Sequence, residues 1–199
     1  MSRPLAFDSV FIRYGRGRPV IESFTHEFKP GVVTWLRGPN GSGKTTLLRL
    51  GAGLLKPRMG AVVASERPSY VASSMAFHEQ LTLSEELLYL RSLSKVDSLE
   101  FDAGLEEWSI GALDQTMTMD ELSTGWRQRL ALCLASVSRR AIVLLDEPFA
   151  NLDDKASQVL RDWMARVTVG EGSSLLRTMA KPLGSERSIW TSLRSDMEC

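Results

Sequence analysis

Gly38-Pro39-Asn40-Gly41-Ser42-Gly43-Lys44-Thr45-Thr46 is a complete G-x-x-x-x-G-K-T phosphate-binding loop. The run before it, Val32-Val33-Thr34-Trp35-Leu36, predicts a buried strand. The run after it, Thr46-Leu47-Leu48-Arg49-Leu50, predicts a helix. A strand–loop–helix order is what such a loop needs. Gly38, Gly41 and Gly43 let backbone N–H groups turn inward around phosphate oxygens with no Cβ in the way, and Asn40, Ser42 and Thr46 lie in the same cradle. The helix start adds partial positive charge at that spot. Lys44 has the reach and charge for the outer phosphates, and the Thr45 hydroxyl is a candidate ligand for Mg²⁺.

A second segment supplies the complementary chemistry. Ala141-Ile142-Val143-Leu144-Leu145 is a near-continuous apolar run of the kind found in central parallel strands, and it ends on Asp146-Glu147-Pro148. Strand ends are where α/β proteins place ligands. Asp146 is the candidate to hold Mg²⁺, through water or Thr45, and Glu147 the candidate general base that orients water toward a γ-phosphate.

The chain of 199 residues is long enough for one sizeable core, and 43% apolar with 24% charged residues is the make-up of an ordinary globular domain. Formal net charge is zero, which removes the electrostatic argument for a nucleic-acid partner. No apolar run approaches the roughly 18 residues that span a bilayer. Asp8 comes too early for a signal-peptide core. Of the two cysteines, Cys133 falls in a helical pattern and Cys199 is the last residue, which argues against a disulfide and fits a reducing compartment.

Leu5, Phe7, Val10 and Ile12, then Val20 and Phe24 after the turn Gly15-Arg16-Gly17, predict antiparallel strands. Residues 61–64 and 70–72 are short strand candidates. From Thr82 the period turns helical, with Leu83, Leu87, Leu88, Leu90 and Leu93 assigned to one face and Thr82 or Ser84 as the cap. Residues 100–138 read as mainly helical, with a helix starting at Ser123, and another helix is expected over 154–168. The fold class is therefore α/β: a P-loop core with an N-terminal antiparallel β subdomain and an inserted α-helical subdomain at about 75–138.

Leu122-Ser123-Thr124-Gly125-Trp126-Arg127-Gln128-Arg129 looks like the signature L-S-G-G-Q-x-Q-R, and Asn151-Leu152-Asp153 resembles the D-loop. With the P-loop and Asp146-Glu147-Pro148, these segments make the chain resemble the ATP-binding subunits of ABC transporters from Phe7 to about 179. Compactness and the run Leu144-Leu145-Asp146-Glu147-Pro148-Phe149 resemble the short exporters of the cytochrome c maturation type. The resemblance implies one domain over 1–180, an irregular tail over 181–199, ATP and Mg²⁺ as ligands, and ATP hydrolysis, weakened where motifs are degenerate. It implies a head-to-tail homo- or heterodimer with another such chain, in which Ser123 and Gly125 donate to the partner's γ-phosphate. It further implies a separate transmembrane permease and a cytoplasmic place at the inner face of the cell membrane. Tyr14 is either the ring that stacks on adenine or a core aromatic of the first strands.

Four departures from the pattern stand out. Thr124 replaces the first signature glycine, where a Cβ is expected to obstruct phosphate or to demand a disfavoured backbone. Trp126 puts a large apolar ring at a polar edge. Ser73-Ser74 stand where the Q-loop glutamine belongs, and Met179-Ala180 where a γ-phosphate-sensing histidine belongs. His26 and His78 are read as surface or loop residues. From Gly170 onward no amphipathic period is visible, and Arg177 interrupts a run that should be a buried strand. Two other functions compete with the transporter subunit: a soluble ABC-type regulator, and a nucleotide-binding pseudo-ATPase without turnover.

Overall fold

A computed structural model describes residues 5–29, 32–72, 75–138, 140–169 and 174–178. The readings at Ser73-Ser74, at Met179-Ala180 and over 181–199 lie outside them. The chain divides into two compact units. One takes the residues up to Tyr70, Arg140–Glu147 and the segment from Arg166; the other takes Val71–Arg139 and Pro148–Ala165.

In the first unit the alternation near the N-terminus becomes an antiparallel pair, β1 (Leu5–Arg13) and β2 (Pro19–Phe28), joined by β4 (Met59–Ala64) in the order β2-β1-β4. The second sheet orders β3 (Val33–Leu36), β7 (Ser174–Thr178), β6 (Ile142–Leu145) and β5 (Ser69–Val71), with β7 parallel to both β3 and β6. Helix α1 (Lys44–Gly51) follows the phosphate loop. Its Leu47, Leu48 and Leu50 join Leu5, Phe7, Val10 and Ile12 of β1, Ile21 and Phe28 of β2, Leu36, and Ile142 and Leu144 of β6 in one core. Gly51 marks a close approach of helix and strands: a Cβ there would lie 3.3 Å from both Leu144 and Phe7.

The segment holding Arg177 forms an interior strand despite its charge. Leu175 pairs in register with Val33 on one side and with Val143 on the other, so the backbone is bonded along both edges. Ladder pairing on two sides outweighs an imperfect apolar pattern.

The second unit is helical: α2 (Leu83–Leu93), α3 (Ser98–Glu107), a single 3-10 turn at Ile110–Ala112, α4 (Thr124–Val137) and α5 (Asp154–Val169). Thr82 caps α2 in a reciprocal box with Glu85, whose carboxylate accepts from the Thr82 N–H at 2.8 Å; this settles the choice between Thr82 and Ser84. Those bonds hold the Glu85 carboxyl below its usual pKa. The single leucine face expected on α2 is a correction. Leu83 and Leu87 are buried, whereas Leu88 is 69% exposed and Leu93 63% exposed. At 100° per residue, Leu83, Leu87 and Leu90 share a stripe; Leu88 falls well outside it. Helix α4 is buried almost all the way round, from Gln128 to Cys133. Burial pushes the Cys133 thiol up to about 12, so it packs as an inert small group.

One backbone contact fixes the first sheet. Ser9, at φ 47°, makes a bulge in β1 where pairing to β4 slips between Asp8 and Phe11. Gly60 faces it at φ 81°, and a Cβ there would sit 2.3 Å from the carbonyl oxygens of Asp8 and Ser9. Both the conformation and the space require glycine. Gly60→Ala is therefore expected to lower stability by about 2–4 kcal/mol. Urea denaturation checks this; a midpoint equal to wild type would mean that the bulge gives way freely.

Candidate functional site

The phosphate loop leaves β3 at Leu36 and enters α1 at Lys44. Gly41, at φ 79°, and Gly43, at φ 94°, occupy the left-handed region, so both turns of the loop need glycine. At Gly43 space is short as well, because a Cβ would lie 3.1 Å from both Cγ1 and the carbonyl oxygen of Val20 on β2. Gly43 is the N-cap of α1 and supplies no side-chain acceptor, and the first turn holds no acidic residue. The opening N–H groups of α1 thus lack the usual carboxylate or hydroxyl partner. The Ser42 hydroxyl is buried and has no hydrogen-bond partner in the protein. These are the features of a cradle for anionic oxygens.

Lys44 lies folded against the loop at 7% exposure. Its ammonium donates to the carbonyl oxygens of Gly38 at 2.8 Å and Pro39 at 2.9 Å. Thr45 is half-buried and Asn40 exposed. Thr46 is 8% exposed, and its Oγ1 lies 3.2 Å from the Tyr14 hydroxyl. Tyr14 follows β1, and 52% of it is exposed. This removes the reading of Tyr14 as a core aromatic, while the hydroxyl ties the ring to the start of α1.

Strand β6 is buried along its whole length and delivers Asp146, itself 6% exposed, at its end. The Asp146 Oδ2 accepts a hydrogen bond from the Tyr70 hydroxyl at 3.3 Å. Burial first, and the Asp146 charge next, raise the Tyr70 pKa, so the phenol keeps its proton and stays a donor. Glu147 is exposed and stands at φ 51°, a conformation that a non-glycine residue rarely adopts. Such strain persists where the surroundings over-determine it, and it concentrates at working sites. Sequence reasoning missed Tyr70, since nothing local marks one strand residue as the partner of a carboxylate 76 positions later. Among the described residues no cluster of three or more His, Cys, Asp or Glu could hold a metal ion. Magnesium bound beside phosphates needs only one or two protein oxygens, so a three-residue cluster is not a requirement for it.

The signature segment belongs to the second unit. Ser123 is the N-cap of α4 and its Oγ accepts from the Trp126 N–H at 3.4 Å. Thr124 is the first residue of that helix and is not among the residues with positive φ. The expected disfavoured backbone at Thr124 is therefore corrected: a helical first turn admits any Cβ. Gly125 is different. A Cβ there would meet the carbonyl oxygen of Asn151 at 2.5 Å. Asn151 itself adopts φ 59°, which asparagine tolerates better than most residues. Trp126 carries the Arg129 guanidinium 4.1 Å over its ring, and Arg129 pairs with Asp153. The aromatic ring that looked misplaced shelves the cation that ties α4 to the turn before α5. The Asp153 carboxyl is held below its usual value chiefly by the N–H of Ala156.

The histidines lie elsewhere. His26 is a strand residue of β2 whose ring contacts Phe28 at 4.5 Å, and His78 bonds the buried Glu86 carboxylate at 2.8 Å. For the phosphate loop the decisive variant is Lys44→Ala. It frees two carbonyls and removes the one cation in the loop, so ATP binding is expected to weaken at least tenfold, about 1.4 kcal/mol. Fluorescent-nucleotide titration checks this, and unchanged affinity would remove Lys44 from the site.

A family model described as ABC transporter matches residues 21–150. The cytochrome c biogenesis ATP-binding export protein CcmA of Sphingopyxis alaskensis is 35% identical over 173 residues, covering 86% of this chain and 88% of that protein. The thiamine import ATP-binding protein ThiQ of Mesorhizobium japonicum is 33% identical, with coverage of 92% and 77%. Among solved structures, a putative ABC transporter ATP-binding protein from Pyrococcus furiosus superposes with a TM-score of 0.73 at 24% identity, covering 90% of this chain and 92% of that one. A dimeric ATP-binding cassette with bound ADP and Pi superposes with a TM-score of 0.75 at 21% identity, covering 89% and 88%. No helix among the described residues is long and apolar enough to cross a membrane. On the combined sequence and fold evidence, the chain belongs to the ABC transporter family of ATP-binding proteins.

Proposed function

We propose that this chain binds Mg-ATP and hydrolyses it to drive a separate transmembrane permease. The observation that carries this reading is the uncapped start of α1, with the orphaned Ser42 hydroxyl and the folded Lys44 ammonium beside it. Triphosphate oxygens supply the acceptors these donors lack. Lys44 exchanges two carbonyl partners for charged ones, and hydrogen bonds to charged acceptors are roughly twice as strong as neutral ones. The Tyr14 ring has the flat exposed surface that adenine needs once its hydroxyl leaves Thr46.

Thr45 and Asp146 would hold Mg²⁺, whose charge neutralises the phosphates and the leaving group when it is bound. Glu147 is the residue to take a proton from water, being an exposed carboxylate next to the buried one. Ser123 and Gly125, at the start of α4, face a second copy or a related chain in this reading. The dimeric neighbour with ADP and Pi supports such a pairing. The chain then sits at the inner face of the cell membrane, held there by its permease.

Relatives named for export in cytochrome c biogenesis and for thiamine import match to a similar degree. Both are ATP-binding chains, one named for export and one for import, which supports a reading in which the permease chooses the cargo. Met179-Ala180 in the place of a histidine, and Ser73-Ser74 in the place of a glutamine, favour slow turnover. Phosphate release from Mg-ATP by the purified chain is the test. Turnover that falls about a hundredfold or more in Glu147→Gln, with ATP binding kept, is expected for loss of a general base. Bound ATP with no turnover in the wild-type chain would instead assign it the pseudo-ATPase role.

A further inference from the structure

Asp146 is delivered by β6, and β5 lies beside β6 at the edge of the same sheet. From β5 the half-buried Tyr70 reaches the Oδ2 of Asp146 at 3.3 Å. The Arg49 guanidinium of α1 stands near the same hydroxyl. Two strands of the first unit thus meet at one carboxylate, and the helix that begins in the phosphate loop reaches the tyrosine that bonds it. Glu147 next to it adopts φ 51°, a backbone conformation that a non-glycine residue rarely takes.

A carboxylate at a strand end can rotate about its Cβ–Cγ bond. A hydrogen bond to one oxygen fixes the plane of the group and settles how the other is presented. Partners of this kind orient a metal ligand without touching the metal, and their loss typically weakens metal affinity 10–100-fold. We propose that Tyr70 is a positioning residue for the magnesium–nucleotide complex: its hydroxyl locks the Asp146 carboxylate through Oδ2, so that the site takes up the metal with the carboxylate already oriented. The proposal rests on Asp146 being the metal-holding carboxylate. It assigns Tyr70 no contact with nucleotide, metal or water.

The test is the magnesium dependence of nucleotide binding, read with a fluorescent ATP analogue on the full chain, in chelator and then across a Mg²⁺ titration. Wild type, Tyr70→Phe and Asp146→Asn are compared. Tyr70→Phe removes one oxygen and keeps the ring, so the melting temperature reports whether packing survives. The expected result is metal-free affinity within about twofold of wild type and a Mg²⁺ half-point raised about tenfold. A half-point unchanged in Tyr70→Phe but shifted in Asp146→Asn would overturn the positioning role and leave the metal site standing. A half-point unchanged in both would overturn the metal-site reading and the proposal with it. Equal loss of metal-free and metal-dependent binding in Tyr70→Phe would show a packing role, which also overturns the proposal.

Discussion

A helix that begins without a side-chain cap leaves N–H groups facing outward, and α1 is held in that condition from three sides. Its apolar face is sealed into the core through Leu47, Leu48 and Leu50, each at most 1% exposed. Its first residue follows a glycine whose φ of 94° only glycine adopts easily, and Val20 of β2 closes the space behind that glycine. These restraints oppose a shift of the helix toward another cap. Packing fixes where the donors stand, and the absence of an acidic first turn keeps them available. Both sheets of the first unit serve this placement, since β1, β2, β3 and β6 all contribute to the core on which α1 rests.

Polar groups left unsatisfied indicate where the molecule departs from good packing. Among the described residues, the buried side-chain atoms with no partner belong to Ser42 and Gln128 alone. One lies in the phosphate loop, the other in the signature segment. A buried hydroxyl or amide without a partner costs about 1–3 kcal/mol, so a fold retains few of them. Positive φ at Glu147 and Asn151 adds backbone strain at the two ends of the turn after β6. The unpaired polar atoms thus fall on the segments that the family signature marks, whereas positive φ is shared with Ser9, Ser23 and Ser109 away from them.

Much of this was legible because it is local. The strand–loop–helix order around Gly38 to Thr46, the alternation of β1 and β2, and the cap at Ser123 all depend on neighbours within a few residues. The carboxylates after β6 were legible because an apolar run ended on them. What sequence hid depends on partners far along the chain. Tyr70 meets Asp146 only because β5 and β6 are neighbours in the sheet. Trp126 looked misplaced until Arg129 and Asp153 were seen against it. Thr124 looked strained because a glycine was expected, although the first turn of α4 suits any residue, and the glycine requirement falls instead on Gly125 through the Asn151 carbonyl. Leu88 is a different kind of miss, since its spacing from Leu83 and Leu87 already sets it off their stripe and it is exposed in the structure.

The central claim is that this chain's own phosphate loop and strand-end carboxylate form a triphosphate site. Calorimetric titration of the purified chain with ATP and then with AMP, each in Mg²⁺, tests it most directly. Phosphate contacts dominate such a site, so ATP is predicted to bind roughly a hundredfold more tightly than AMP, a difference of about 2.7 kcal/mol. Equal affinities, or no ATP binding at all, would contradict the account.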